Sequence, residues 1–115
     1  EQGFENEFDD IDTISHHIVV FDEGKPIGTC RFFKENNHYT IGRVAVLKEY
    51  RNQHIGNLLL ESAENEIKKL NGDLIVVHAQ VRVSPFYEKQ GYIQFGQIDD
   101  DEGVPHMWMK KKIQY

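Results

Sequence analysis

Apolar residues along the chain follow two different periods. His16 to Asp22, Ile27 to Lys34 and Tyr39 to Leu47 each hold apolar runs of strand length, the clearest being Ile18-Val19-Val20-Phe21. Turn-forming residues separate them, first Asp22-Glu23-Gly24-Lys25-Pro26 and then Glu35-Asn36-Asn37-His38. Three such strands in a row predict an antiparallel meander. From Ile55 the period changes. Ile55, Leu58, Leu59, Ala63, Ile67 and Leu70 recur at helical spacing, predicting an amphipathic helix that Asn71-Gly72 ends. Leu74-Ile75-Val76-Val77 is continuously apolar, as a strand buried on both faces would be. Ser84-Pro85 predicts a short helix with Ser84 as its cap, stopped by Gly91. Tyr92 to Ile98 and Val104 to Ile113 read as two last strands around an acidic turn, Asp99 to Gly103. Ahead of His16, the spacing of Phe4, Phe8 and Ile11 suits a short helix or a tucked irregular segment.

The resulting order, β-β-β-α-β-α-β-β, is that of a mixed α/β protein with a mostly antiparallel sheet. At 115 residues, with no repeat, low-complexity tract or linker, the expectation is one domain spanning residues 1–115. That length can bury a core without covalent staples. A single cysteine, Cys30, excludes an intramolecular disulfide and fits a reducing cytoplasm. No apolar run approaches the ~20 residues that span a bilayer, and no signal peptide is visible, so neither membrane nor export is expected. The net charge of −6, with acid gathered at Glu5 to Asp12 and Asp99 to Glu102, argues against a nucleic-acid partner. It is compatible with a cationic or amine substrate, but charge clusters are more often just solvated loops.

Candidate chemistry centres on Gly42 to Leu60. A strand ending in Val44-Ala45-Val46-Leu47 feeds a helix through a polar connection, Lys48 to His54. The first turn of a helix carries N–H groups with no intrahelical partner, and its dipole favours negative charge. This is a candidate anion site, phosphate above all. Neither G-x-x-x-x-G-K-[ST] nor G-x-G-x-x-G is present.

The same residues resemble motif A of the GNAT superfamily of N-acetyltransferases, in which a V-A-V-like strand end precedes [QR]-x-x-G-x-[GA]. Arg51-Asn52-Gln53-His54-Ile55-Gly56 supplies the second part, with His54 where the family usually has a glycine. Phe86-Tyr87-Glu88-Lys89-Gln90-Gly91-Tyr92 is similar to the family's F-Y-x-x-x-G-[FY]. Asp101-Glu102-Gly103-Val104-Pro105-His106-Met107-Trp108-Met109 is similar to the tail of the branch that includes glyphosate N-acetyltransferase, and the opening E-Q-G-F-x-x-E-F-D is similar to the segment that follows the first helix in that branch. The resemblance covers roughly residues 16 to 113 and implies a GNAT-like sheet with helices on both faces. It also implies a chain lacking the family's first strand and first helix, whose open sheet edge would favour a homodimer or aggregation.

By the same resemblance, acetyl-CoA is the co-substrate and a small-molecule amine the acceptor, attacking directly. Its pyrophosphate would rest on the backbone of Arg51, Asn52, Gln53, His54, Ile55, Gly56 and Asn57. Its pantetheine would pair with Val44, Ala45 and Val46 as an added strand. Tyr87 would be the acid that protonates the leaving thiolate; a half-buried aromatic anchoring the short helix is the structural alternative. His106 would be the base, since imidazole titrates at about pH 6.5; a surface histidine at a strand end is its alternative. Arg43, with Arg82 as a weaker second, would meet an anionic group of the acceptor. For Arg43 an ion pair with the acidic N-terminal segment is equally open. A non-catalytic acyl-CoA sensor and a protein acetyltransferase are the competing readings.

No metal is expected. His16 and His17 are adjacent and face opposite sides of a strand. His38, His54, His78 and His106 lack H-x-x-x-H spacing or a cysteine partner. Cys30, mid-strand with no adjacent base, reads as a packed core residue.

Overall fold

The computed structural model describes residues 14–114. Six strands form one sheet: β1 (His16–Asp22), β2 (Lys25–Glu35), β3 (His38–Val46), β4 (Leu74–Gln80), β5 (Ile93–Asp101) and β6 (Val104–Lys112). Two α-helices, α1 (Ile55–Lys69) and α2 (Ser84–Lys89), interrupt them, with single 3-10 turns at Lys48–Tyr50 and Val81–Val83. The spatial order is β1-β2-β3-β4-β6-β5. Among the described residues only β3 and β4 run parallel; every other pair is antiparallel. The meander, the element order and the mixed, mostly antiparallel sheet are as the sequence predicts. The Phe4, Phe8 and Ile11 segment and the acidic partner considered for Arg43 lie outside the described residues.

Both turns of the meander are tighter than their composition suggests. Asp22 pairs with Lys25 and Glu35 with His38, leaving two-residue loops. Glu23 and Gly24 both have positive φ, 49° and 81°, as a turn that follows the strand twist requires. Pro26 therefore lies in β2, near its start, rather than in the turn. The acidic turn near the C-terminus likewise narrows to Glu102-Gly103, so Asp99 to Asp101 are strand residues.

Helix α1 buries Leu59, Leu60, Ala63 and Ile67 against Cys30, Phe32, Ile41, Ile75, Val77 and Met109. Leu60 takes the core position that the spacing gave to Leu58, which is 44% exposed. The buried stripe keeps Leu59, Ala63 and Ile67 and is rotated toward Leu60 relative to the sequence reading. Leu70 is also turned out. The C-terminal stop is a Schellman turn. Asn71 adopts the left-handed conformation (φ 66°), its N–H donates to Lys68 O, and Gly72 N–H donates to Ile67 O. Gly72 is needed for space: a Cβ there would lie 2.5 Å from Ile67 Cγ2 and 2.8 Å from the Tyr39 ring.

Helix α2 joins the same core through Tyr87, which meets the Tyr92 ring edge-on. Ser84 is not its cap. Val83 holds that position after the preceding 3-10 turn, and Ser84 is buried as the first helical residue. Residues of both α1 and α2 belong to the same buried cluster as the sheet. Tyr92 Oη donates to Glu64 Oε2 (2.8 Å) and Lys111 Nζ to Glu64 Oε1 (3.0 Å), tying α1 to β6 and the start of β5. No helix among the described residues is long and apolar enough to cross a membrane.

Candidate active site

The cleft arises from a failure of two parallel strands to stay paired. Tyr39, Thr40 and Ile41 of β3 align with Ile75, Val76 and Val77 of β4, and the ladder ends there. Immediately beyond, β3 gives two residues, Arg43 and Val44, where β2 gives one, Cys30. Arg43 sits at φ 52°, so the strand bulges and bends at this point. The two strands diverge around a cavity of about 560 Å³. Its walls include Arg43, Val44, Ala45 and Val46 on one side, and His78, Ala79 and Gln80 on the other. Beyond residue 41 the edge of β3 that faces β4 carries no ladder, so its backbone is open to an extended ligand.

Arg51, Arg82, Tyr87 and His106 line the same cleft. The sequence-predicted residues Arg43, Val44, Ala45, Val46, Arg51, Arg82, Tyr87 and His106 thus come together. Asn52, Gln53, His54, Ile55, Gly56 and Asn57 do not line it; they continue from Arg51 into the first turn of α1. The loop holding them is fastened at several points. Arg51 Nε donates to Val46 O (3.3 Å), and Tyr50 Oη donates to Asp22 Oδ2 (2.7 Å) in the β1–β2 turn.

Asn52 and His54 both have positive φ, 68° and 63°. His54 is the residue before α1, and its side chain makes no capping hydrogen bond. The first turn of α1 contains no acidic residue, and the first helical bond, Leu58 N to His54 O, leaves the earlier N–H groups without intrahelical partners. A helix start with open donors and no local carboxylate suits an anion. Gly28 of β2 brings it close to the sheet: a Cβ there would lie 2.9 Å from Ile55 Cγ2.

Tyr87 is buried, and its hydroxyl is pushed up to about 12, chiefly by burial and secondarily by the nearby Cys30. It is therefore a neutral donor at physiological pH. Cys30 is itself buried and pushed up to about 12 by burial, as a packed thiol should be. No group of three or more potential metal ligands occurs among the described residues.

His106 is half-buried at the start of β6, and its Nδ1 lies 2.9 Å from Val104 O. A carbonyl only accepts, so Nδ1 carries the proton and Nε2 is left as the basic nitrogen. Beside it stands His78, which sequence reasoning weighed only as a metal ligand. Their rings are 4.7 Å apart. His78 Nε2 donates to Asp99 (3.0 Å to Oδ1), and its ring stacks on Trp108 at 4.4 Å. The available signal was the alternation His78-Ala79-Gln80, which continues β4 beyond its apolar run and puts both polar residues on one face. Gln80, paired with His106 across the ladder, accepts from Arg82 Nε (2.8 Å) and so orients that guanidinium.

Comparison with known proteins agrees with this architecture. The model of the acetyltransferase (GNAT) domain family matches residues 1–113. The uncharacterized N-acetyltransferase YjcF of Bacillus subtilis is 32% identical over 93% of this chain and 77% of its own length. The crystal structure of an N-acetyltransferase candidate from Lactobacillus plantarum superposes with TM-score 0.86 at 28% identity, over 93% of this chain and 75% of that one. An aminoglycoside 6'-N-acetyltransferase solved with coenzyme A shares the fold at TM-score 0.79 and 16% identity, over 89% of this chain and 74% of that one. The splayed parallel strands, the bulge that opens them and the match along nearly the whole sequence lead to one conclusion: this chain belongs to the GNAT family of acetyltransferases.

Proposed function

We propose that the cleft between β3 and β4 transfers an acetyl group from acetyl-CoA to the amine of a small molecule by direct attack. The observation that carries this reading is the end of the β3–β4 ladder at Ile41 and Val77, with Tyr87 and His106 on the walls of the opening. The residues present fit the co-substrate. The unladdered edge at 43–46 offers backbone partners for the pantetheine amides, and the open first turn of α1, with Arg51 beside it, suits the pyrophosphate. When bound, acetyl-CoA supplies an acyl group already activated as a thioester.

His106 Nε2 takes a proton from the incoming ammonium, freeing the lone pair that forms the new C–N bond. As the C–S bond breaks, the nitrogen sheds its second proton to solvent and CoA leaves as the thiolate, which is protonated by solvent. The neutral Tyr87 hydroxyl faces the opposite demand. Raised to about 12, it is a weaker acid than a thiol of about 8.5. It therefore serves as a hydrogen-bond donor to the developing thiolate rather than by complete proton transfer. Arg43 and the oriented Arg82 favour an acceptor bearing a carboxylate, phosphonate or similar anion. The glyphosate N-acetyltransferase branch, suggested by Pro105-His106 and the strand after it, is consistent with such an acceptor.

The test is thiol release from acetyl-CoA across a panel of small amines, with and without anionic groups. Enzyme-dependent release with at least one amine, preferentially an anionic one, is expected. Tight CoA binding with no turnover of any amine would point to a sensor instead, and acetylated partner lysines to a protein acetyltransferase.

A further inference from the structure

We propose that His78 is a positioning residue for His106, and that Asp99 holds His78 in place; the inference rests on the reading of His106 as the base. Three rings on adjacent strands form a continuous group. His78 of β4 is paired with Trp108 of β6 and sits diagonally from His106, whose own partner on β4 is Gln80. Diagonal neighbours on one face of a sheet are within reach of aromatic side chains. The His78 ring contacts both, at 4.7 Å and 31° to His106 and at 4.4 Å and 23° to Trp108.

His106 alone is secured by one hydrogen bond, from Nδ1 to Val104 O. That bond and the covalent bond to Cβ both grip one edge of the ring, Cγ–Nδ1, which leaves a rocking motion of the Nε2 side. A flat neighbour 4.7 Å away removes it. His78 can serve as that neighbour because its own ring is fixed at two points. Its Nε2 donates to the Asp99 carboxylate, at 3.0 and 3.3 Å to the two oxygens, and Trp108 covers it. Asp99 reaches this position through the irregular β5–β6 pairing. Phe95 pairs with Trp108 and Asp99 with His106, so β5 gives three residues where β6 gives one. Gly96, at φ 75°, lies in that excursion. A regular ladder would put Gln97 opposite His106. The bulge brings a carboxylate there instead.

The test compares His78→Ala, His78→Phe, Asp99→Ala and His106→Ala. For each, kcat, KM for acetyl-CoA and for the amine, and the melting temperature are measured. The ring tautomer of His106 is read by long-range 1H–15N correlation. His78→Ala should lower kcat on the order of tenfold or more with KM for acetyl-CoA unchanged, and should let the His106 tautomers mix. His78→Phe, which keeps a flat ring, should recover most of kcat. Asp99→Ala should move kcat in the same direction as His78→Ala. Asp99 is exposed at the sheet edge, so this variant carries the test even where His78→Ala fails to fold. Wild-type kcat in both His78→Ala and Asp99→Ala, with His106→Ala inactive, would overturn the positioning role and leave the base assignment standing. A raised KM for the amine, unrescued by His78→Phe, would make His78 a substrate contact and overturn it too. Wild-type activity in His106→Ala would remove the base assignment itself.

Discussion

A Cβ on Gly56 would stand 3.2 Å from Cζ of Phe86, so the first turn of α1 meets the short α2 where position 56 has no side chain. The GNAT motif residue at the proposed pyrophosphate loop is thus also a packing residue. Gly56→Val should destabilise the protein by about 1–3 kcal/mol through overpacking as well as weaken CoA binding. Phe86→Leu in the same chain should restore part of the stability and less of the affinity. Urea unfolding and calorimetry of the single and double variants measure the two effects separately.

His54 occupies a left-handed conformation, φ 63°, that costs a non-glycine residue roughly 1 kcal/mol. His54→Gly relieves that strain while loosening the unfolded chain, so stability should hold or rise by up to about 1 kcal/mol. With the side chain gone, the backbone before α1 is more open, and CoA should bind no more weakly than to the wild type. A loss of both stability and affinity would mean that the imidazole makes a needed contact.

Three buried groups make stability fall in alkali. Cys30 and Tyr87 are each pushed up to about 12 by burial, and Tyr92 is pushed up by burial and by Glu64. A raised folded value means that the native state holds protons the unfolded chain gives up. Their contribution is complete below the unfolded values, near 9.0 for the thiol and 10.0 for the phenols, and declines as pH rises toward about 12. Each group adds a slope of up to about 1.4 kcal/mol per pH unit within that window. Urea midpoints should be flat from pH 7 to about 8.5 and then drop. In native protein Cys30 should resist thiol reagents until unfolding exposes it.

Much of the fold was legible because its periods are simple. Strands β1 to β3, the helix at residue 55 and the apolar β4 each announce themselves by spacing. The errors have physical causes. Leu58 and Leu60 are two residues apart, on nearly opposite sides of the helix, and only the sheet decides which one faces it. Ser84 has the composition of a cap, but the 3-10 turn at Val81–Val83 moves the helix start onto Val83. At the site, Arg43 to Val46, Arg51, Tyr87 and His106 could be named from motifs, since local pattern carries them. His78 and Asp99 could not. They are 21 residues apart and meet only because β6 is inserted between β4 and β5 and β5 bulges.

If the cleft holds acetyl-CoA, binding must stabilise the fold. At a ligand concentration about 100 times Kd, linkage adds about 2.7 kcal/mol. The urea midpoint should rise accordingly with CoA. An Arg51→Ala variant should show a smaller rise at the same concentration. A midpoint indifferent to millimolar CoA would contradict the co-substrate assignment.

The most direct test of the chemistry is kcat against pH for the wild type, His106→Ala and Tyr87→Phe, with CoA affinity measured alongside. The base is worth a typical ~10²–10⁴-fold in rate, and one donor aimed at the developing thiolate ~10²–10³-fold. His106→Ala should lose activity near neutrality and recover in part as pH rises, because bulk solvent then supplies the free amine. Tyr87→Phe should lose activity at every pH, since no change in solvent replaces a donor at the leaving sulfur. CoA affinity should stay near the wild-type value in both. A wild-type profile in His106→Ala, or a loss of CoA affinity rather than rate in Tyr87→Phe, would contradict the assignment of these two residues to opposite ends of the transfer.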